Sequence, residues 1–433
     1  MLNINIVTVI GANGAMGAAV AGIFASFGNV KVNMVSRTLN KSLEGIEKAV
    51  KSVRADSIRS NLFARTYEDL AACIHESDWV FESVAEDYEI KDEINTVIAR
   101  YRKPGTIVST GTSGLSIEKL KNVFDEEAKS LYFVTHFFNP PYSLPLCELI
   151  PNESADADTI ESLKLYLEQV LIRKVVVLKD APAFLANRIG FQFMNEALQF
   201  AELYEDRGGI DYIDAILGPF TGRGMAPLVT VDFIGLDVYK AITDNLYHSI
   251  SDLYSNSFIL PRFVDSLINE GKLGRKCGQG LYKLDRDSTG KKHLFVYDIK
   301  SQTYRAKIKY SFYFVEKMVA AIKESKYEEA IRILLNNDSE EAKICTYFLI
   351  KYVVYSVFVT KEIADSIHDA DTVMSYGFNW VPPLGLLELF GGKEAIIESM
   401  KTDNRLLPFI SAFSETEIYP SKLNYRRYLR AKF

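Results

Sequence analysis

The stretch that decides the fold is INIVTVIGANGAMGAAVAGIFASFG, residues 4–28. Residues 4–10 are β-branched and apolar and read as a buried parallel strand. GANGAMG follows as a turn, and AAVAGIFASFG reads as a helix of small residues. VKVNMVSR (30–37) is a second strand. Strand, glycine turn, helix, strand is the mononucleotide-binding half of a Rossmann domain. Gly11, Gly14 and Gly17 would let the backbone approach a pyrophosphate, with Asn13, Ala15 and Met16 filling the turn and the first helical positions. The usual fingerprint is G-x-G-x-x-G, so this turn carries one extra residue, Asn13.

Further strands are expected at 77–84, 105–111 and 130–138, with a helix over 87–100 among the connections. KVVVLKD (174–180) closes the sheet. After Asp180 the period becomes helical. The expected organisation is an α/β Rossmann-type domain over 1–180 and a helical domain over 181–290. A hairpin connector over 291–310 and a second helical domain over 311–433 follow. The two helical domains look like a repeat. AFLANRIGFQFMNEA, IDYIDAILGPF and MAPLVTVDFIGLDVYKAI are followed, in the same order, by YFLIKYVVYSVFVTKEI, DADTVMSYGF and VPPLGLLELFGGKEAII.

The 433 residues exceed one core. A net charge of −6 gives no electrostatic case for nucleic acid or membrane. The apolar run Tyr352–Val359 reads as too short to span a bilayer. Cys73, Cys147, Cys277 and Cys345 show no paired or zinc-binding spacing, so no metal is expected. With no visible signal peptide, the expected location is the cytoplasm.

THFFNPPYSLPLCELIP (135–151) places His136 twelve residues before Glu148. A histidine held by a carboxylate is a proton-transfer device near neutral pH. Beside a dinucleotide fold, that pair points to alcohol–ketone redox chemistry. At the end of the second strand, where an acid would bind the ribose of NAD, stand Ser36, Arg37 and Thr38. An arginine with two hydroxyls favours NADP, and NAD remains the alternative.

GANGAMG, DWVFESVAEDYEIK, GTIVSTGTSGLSI, THFFNPPYSLPLCELIP, DAPAFLANRIG, MAPLVTVDFIGLD and GRKCGQGLYK occur in this order. Together they resemble the 3-hydroxyacyl-CoA dehydrogenase family, in its long form with a doubled C-terminal domain. The resemblance implies interconversion of (S)-3-hydroxyacyl-CoA and 3-ketoacyl-CoA with NAD(P), in fatty-acid metabolism such as β-oxidation. It makes His136 the catalytic base, Glu148 its partner, and Asn187 and Ser113 active-site contacts. Glu86 and Lys91 match residues near the nicotinamide. Three positions depart from the family: Ser36 replaces an acid, Gly111-Thr112-Ser113-Gly114 replaces Asn-Thr-Ser-Ser, and Gly224-Met225-Ala226-Pro227 replaces Pro-Met-Gly-Pro. The last departure is expected to alter the domain junction. Lys351 stands in the second copy where the first has Asn187, so that copy is expected to be non-catalytic. It would cover in cis a face that a single-copy protein buries by dimerising, which leaves monomer or homodimer open. Two other readings share the scaffold: a dehydrogenase of a free hydroxy acid or sugar acid, and a non-catalytic acyl-CoA or nucleotide binder.

Overall fold

The computed structural model describes residues 2–251, 254–286 and 289–432. The chain forms two compact units. The first is Met1–Phe184 with Ile363–Asp365, and the second is Leu185–Glu362 with Ser366–Phe433.

The first unit is built on an eight-stranded sheet of order β3-β2-β1-β4-β5-β6-β7-β8. β1 (Ile6–Ile10), β2 (Lys31–Ser36), β3 (Leu62–Thr66), β4 (Trp79–Glu82), β5 (Ile107–Thr110) and β6 (Tyr132–Phe137) run parallel. β7 (Leu146–Pro151) is antiparallel to β6, and β8 (Lys174–Val177) is parallel to β7. Helices cover both faces of such a sheet, so the central strands are mostly apolar on both faces. Val7, Val9, Val32, Met34, Trp79 and Phe81 are all buried. Helix α1 (Ala15–Ser26) follows the glycine turn, and α2 (Leu39–Val53) follows β2. Strand order reverses between β1 and β4, which opens a crevice at the carboxyl edge of the sheet. β3 and β7 were not foreseen from the sequence. β3 is a short, half-exposed edge strand. β7 runs from just after Pro145 to Pro151, which masks its strand character. At the far edge, Leu178 bridges Ala364, and the Lys179 N–H donates to the Ile363 carbonyl at 3.0 Å.

The second unit is helical and contains both candidate copies, so the expected boundary near residue 290 falls inside one compact body. The Ala186–Leu203 helix packs antiparallel to the Glu340–Ile363 helix. Arg188 pairs with Glu362 at 2.9 Å, Glu196 with Lys351 at 2.7 Å, and the Tyr204 hydroxyl donates to Glu340 at 2.8 Å. Gly190 is needed where the Ala186–Leu203 helix meets Met374–Phe378, because a Cβ there would stand 2.5 Å from the Phe378 ring. Tyr352–Val359 lies within the 24-residue Glu340–Ile363 helix. The run itself is too short to span, as expected, whereas the whole helix is long and apolar enough by length and composition, with 83% of its apolar window buried inside the protein. The expected hairpin is present as β10 (Lys292–Asp298) and β11 (Thr303–Ala306), with β9 (Tyr282–Arg286) added as a third strand.

The two candidate copies share a local device. Asp214 accepts from the Leu228 and Val229 N–H groups at 2.8 and 3.0 Å, at the start of the Pro227–Ile234 helix. Asp371 accepts from the Leu384 N–H at 2.8 Å, at the start of the Pro383–Leu389 helix. In each copy a glycine 21 residues after the aspartate, Gly235 or Gly392, has a positive φ and begins the next helix. A buried acceptor that satisfies orphan N–H groups is costly to delete. Asp214→Ala and Asp371→Ala should each lower unfolding free energy by about 1–3 kcal/mol in urea titrations. An unchanged midpoint for either variant would show that its helix start does not need the acid.

Candidate active site

The carboxyl edge of the first unit's sheet collects most of the residues singled out by sequence. β1 ends at Ile10, and Gly11 turns with φ 80°. A Cβ on Gly11 would stand 2.3 Å from the Ser83 carbonyl oxygen, and one on Gly17 would stand 2.5 Å from the Gly11 oxygen. Both glycines are therefore fixed by close backbone approach. The Gly14 N–H donates to the Gly11 oxygen at 3.0 Å, so Asn13 sits inside a closed turn. Its carbonyl is held by Lys48 at 2.7 Å. Gly14 caps α1 without a side chain, and the first turn carries no acid. The N–H groups of Ala15, Met16 and Gly17 have no acceptor within the helix. They present the positive end of its dipole to an anion. This cradle fits the pyrophosphate of a dinucleotide.

At the end of β2 the three expected residues separate. Ser36 is buried, and its Oγ has no hydrogen-bond partner. Arg37 and Thr38 are exposed. Thr38 Oγ1 accepts from the Lys41 N–H at 3.4 Å as the cap of α2. The groups able to meet a ribose or its phosphate from this strand end are thus Arg37 and, in part, Thr38.

Between the ends of β4 and β5 lies a tightly bonded cluster. Lys91, 1% exposed, donates to both oxygens of the fully buried Glu82, each at 3.0 Å. Glu82 also accepts from the Thr110 hydroxyl at 2.7 Å and the Val84 N–H at 2.6 Å. Lys91 reaches Glu86 at 3.6 Å, and Glu86 accepts from the Thr112 hydroxyl at 2.6 Å and the Ser113 N–H at 2.7 Å. Ser113 is therefore anchored to Glu86 through its backbone. Glu82, Thr110 and Thr112 were missed by sequence reasoning. The available signal was an acid ending an apolar strand, nine residues before a lysine.

His136 ends β6 on the same edge, roughly 10 Å from β4 at two strand spacings. The β6–β7 register sets it directly opposite Glu148. His136 Nδ1 and Glu148 Oε2 are 2.7 Å apart, with His136 5% exposed and Glu148 fully buried. An ionised carboxylate only accepts, so the pair places the ring proton on Nδ1 and leaves the Nε2 lone pair available. The ring packs against Phe138 and Phe184, at centroid distances of 4.6 and 5.6 Å. Burial pushes the neighbouring Cys147 thiol well above its usual range, which keeps it neutral and inert. Asn187 belongs to the second unit, where it is buried in the first turn of the Ala186–Leu203 helix.

Residues 6–181 match the model of the 3-hydroxyacyl-CoA dehydrogenase NAD-binding domain, and residues 184–284 match that of the family's C-terminal domain. The chain belongs to the 3-hydroxyacyl-CoA dehydrogenase family. It is 31% identical to the human mitochondrial hydroxyacyl-coenzyme A dehydrogenase over 64% of this chain and 90% of that one. It is 32% identical to a probable 3-hydroxyacyl-CoA dehydrogenase of Bacillus subtilis over 76% of this chain, and spans 41% of that longer relative's length. The fold of nearly the whole chain recurs in a crystal structure of 3-hydroxybutyryl-CoA dehydrogenase from Escherichia coli. The TM-score there is 0.68 at 21% identity, covering 96% of this chain and 100% of the other. The altered Gly224-Met225-Ala226 turn lies inside the second unit.

Removing one partner of a buried ion pair leaves the other charge uncompensated, at a cost of roughly 3–5 kcal/mol. Glu82→Gln should therefore destabilise the first unit strongly, while Glu82→Gln with Lys91→Met should recover most of that loss. Thermal melts of both variants check this, and a double variant no more stable than the single would contradict the pairing.

Proposed function

We propose that this chain interconverts (S)-3-hydroxyacyl-CoA and 3-ketoacyl-CoA using NAD(P), with His136 and Glu148 as its acid–base dyad. The observation that carries the reading is the buried 2.7 Å His136–Glu148 contact on the sheet edge that also carries the glycine cradle. In oxidation, His136 Nε2 takes the proton of the 3-hydroxyl as hydride leaves C3. In reduction, the imidazolium returns that proton to the ketone oxygen. Glu148 holds the tautomer and stabilises the charged ring in both directions. A bound nicotinamide supplies the two-electron carrier for the C3 hydride. Glu86 and Lys91 would hold its side of the cofactor, and Ser113 and Asn187 would hydrogen-bond the substrate oxygens.

Arg37 at the end of β2, with no acid beside it, supports NADP as the preferred cofactor. We further read residues 311–433 as a duplicated, non-catalytic copy that covers the Ala186–Leu203 helix in cis, leaving the protein a monomer. Lys351, committed to Glu196, supports the loss of activity in that copy. The four cysteines, all free and with Cys277 alone exposed among them, support a cytoplasmic location.

His136→Gln should lower turnover of acetoacetyl-CoA by about 10²–10⁴ with cofactor affinity retained. Retained turnover would remove the dyad from the mechanism. Fluorescence titrations should give a tighter response to NADPH than to NADH, and an equal or stronger response to NADH would overturn the cofactor preference. Sedimentation should give a mass independent of concentration; a dimer joined through residues 184–280 would contradict the covering role.

A further inference from the structure

The Gly224-Met225-Ala226 turn lines a cavity of about 540 Å³ wholly within the second unit. Pockets of this size accept small organic molecules. Its walls include Met225 and Val229 from the helical copy, and Phe312 and Val315 from the segment after β11. Lys307 and Lys309 also line it, and both are exposed. Two acids share the lining, Asp211 and Asp214, but each is already spent. Asp211 accepts from Arg305 Nη2 and Nη1 at 2.6 and 2.9 Å and from the Ile308 N–H at 2.8 Å. Asp214 accepts from two backbone N–H groups and from the Tyr282 hydroxyl at 2.6 Å. Neither Lys307 nor Lys309 forms a salt bridge among the described residues. Lys307 instead stands 5.9 Å over the Tyr282 ring.

An apolar hollow lined by two exposed ammonium groups, neither in a salt bridge although Lys307 stands over the Tyr282 ring and acts electrostatically on Asp214, is matched to one kind of molecule. The ligand must carry negative charge at one end and hydrocarbon at the other. A small inorganic anion would leave the apolar walls unfilled, and a neutral chain would gain no charge-assisted hydrogen bond from the ammonium groups. We propose that this cavity binds an aliphatic carboxylate, its head group between Lys307 and Lys309 and its chain along Met225, Val229, Phe312 and Val315. None of these residues takes part in the proposed chemistry, so the site is a second, non-catalytic one. Replacement of the turn's usual residues by Gly224-Met225-Ala226 gives the cavity part of its wall.

Calorimetric titration of the full chain with decanoate tests this, with decanol and inorganic phosphate as the probes that lack the charge or the chain. Decanoate should bind and the other two should not. Lys307→Met with Lys309→Met should weaken decanoate by at least about tenfold. Both lysines are exposed, so this variant should melt like the parent. Val229→Trp, which fills the cavity, should abolish binding, whereas His136→Gln should leave it intact. Absence of decanoate binding overturns the proposal. So does decanol binding as tightly, or affinity unchanged in the lysine or tryptophan variant. Loss of binding in His136→Gln alone would place the carboxylate at the catalytic dyad instead and equally overturn it.

Discussion

The antiparallel pairing of β6 with β7 is the constraint on which the candidate chemistry depends. Side chains alternate strictly along a strand, so a slip of one residue would carry Glu148 to the opposite face of the sheet. The observed register sets His136 and Glu148 directly opposite each other. Their buried flanks resist such a slip, because Phe137, Cys147 and Leu149 all face packed interior. The dyad geometry is thus a property of sheet packing. It does not rely on a flexible loop to bring acid and base together.

The same edge gathers the other groups because five preceding strands run parallel to β6. Parallel strands deliver every chain turn to one side of the sheet. Gly11, Arg37, Glu82, Thr110 and His136 therefore stand at successive strand ends although they are dispersed over more than a hundred residues of sequence. The buried Glu82 ties the ends of β4 and β5 together. Through Lys91 it reaches Glu86, and Glu86 fixes the backbone at Ser113. Two loops that follow different strands are held by one carboxylate.

Local signals were legible in the sequence where they encode a steric requirement. The glycine turn is one, since no side chain fits at Gly11 or Gly17. The pairing of His136 with Glu148 was legible from the THFFNPPYSLPLCELIP stretch, although the antiparallel strand that sets them opposite was not. β7 itself was hidden by the prolines that bracket it. Glu82 was hidden because its importance comes from partners that only the folded sheet and the following helix supply. Ser36 illustrates the reverse: its place beside Arg37 and Thr38 in sequence does not reveal that its hydroxyl is sealed inside. The order of helical segments in the second unit could be read from their pattern. That they share one compact body could not, because it depends on contacts such as Gly190 with Phe378 and Arg188 with Glu362.

The bridge from Leu178 to Ala364 gives the first unit an unusual dependence. Part of the outer rim of β8 is occupied by backbone that lies almost two hundred residues downstream. The nucleotide-binding unit is therefore not a contiguous cassette. A shortened chain ending at residue 284 would keep every residue that defines the family, yet it would leave that rim bare. Bare strand rims invite pairing with neighbouring molecules. Residues 363–365 thus act as a selvedge for the sheet, and excising them would leave that rim prone to self-association.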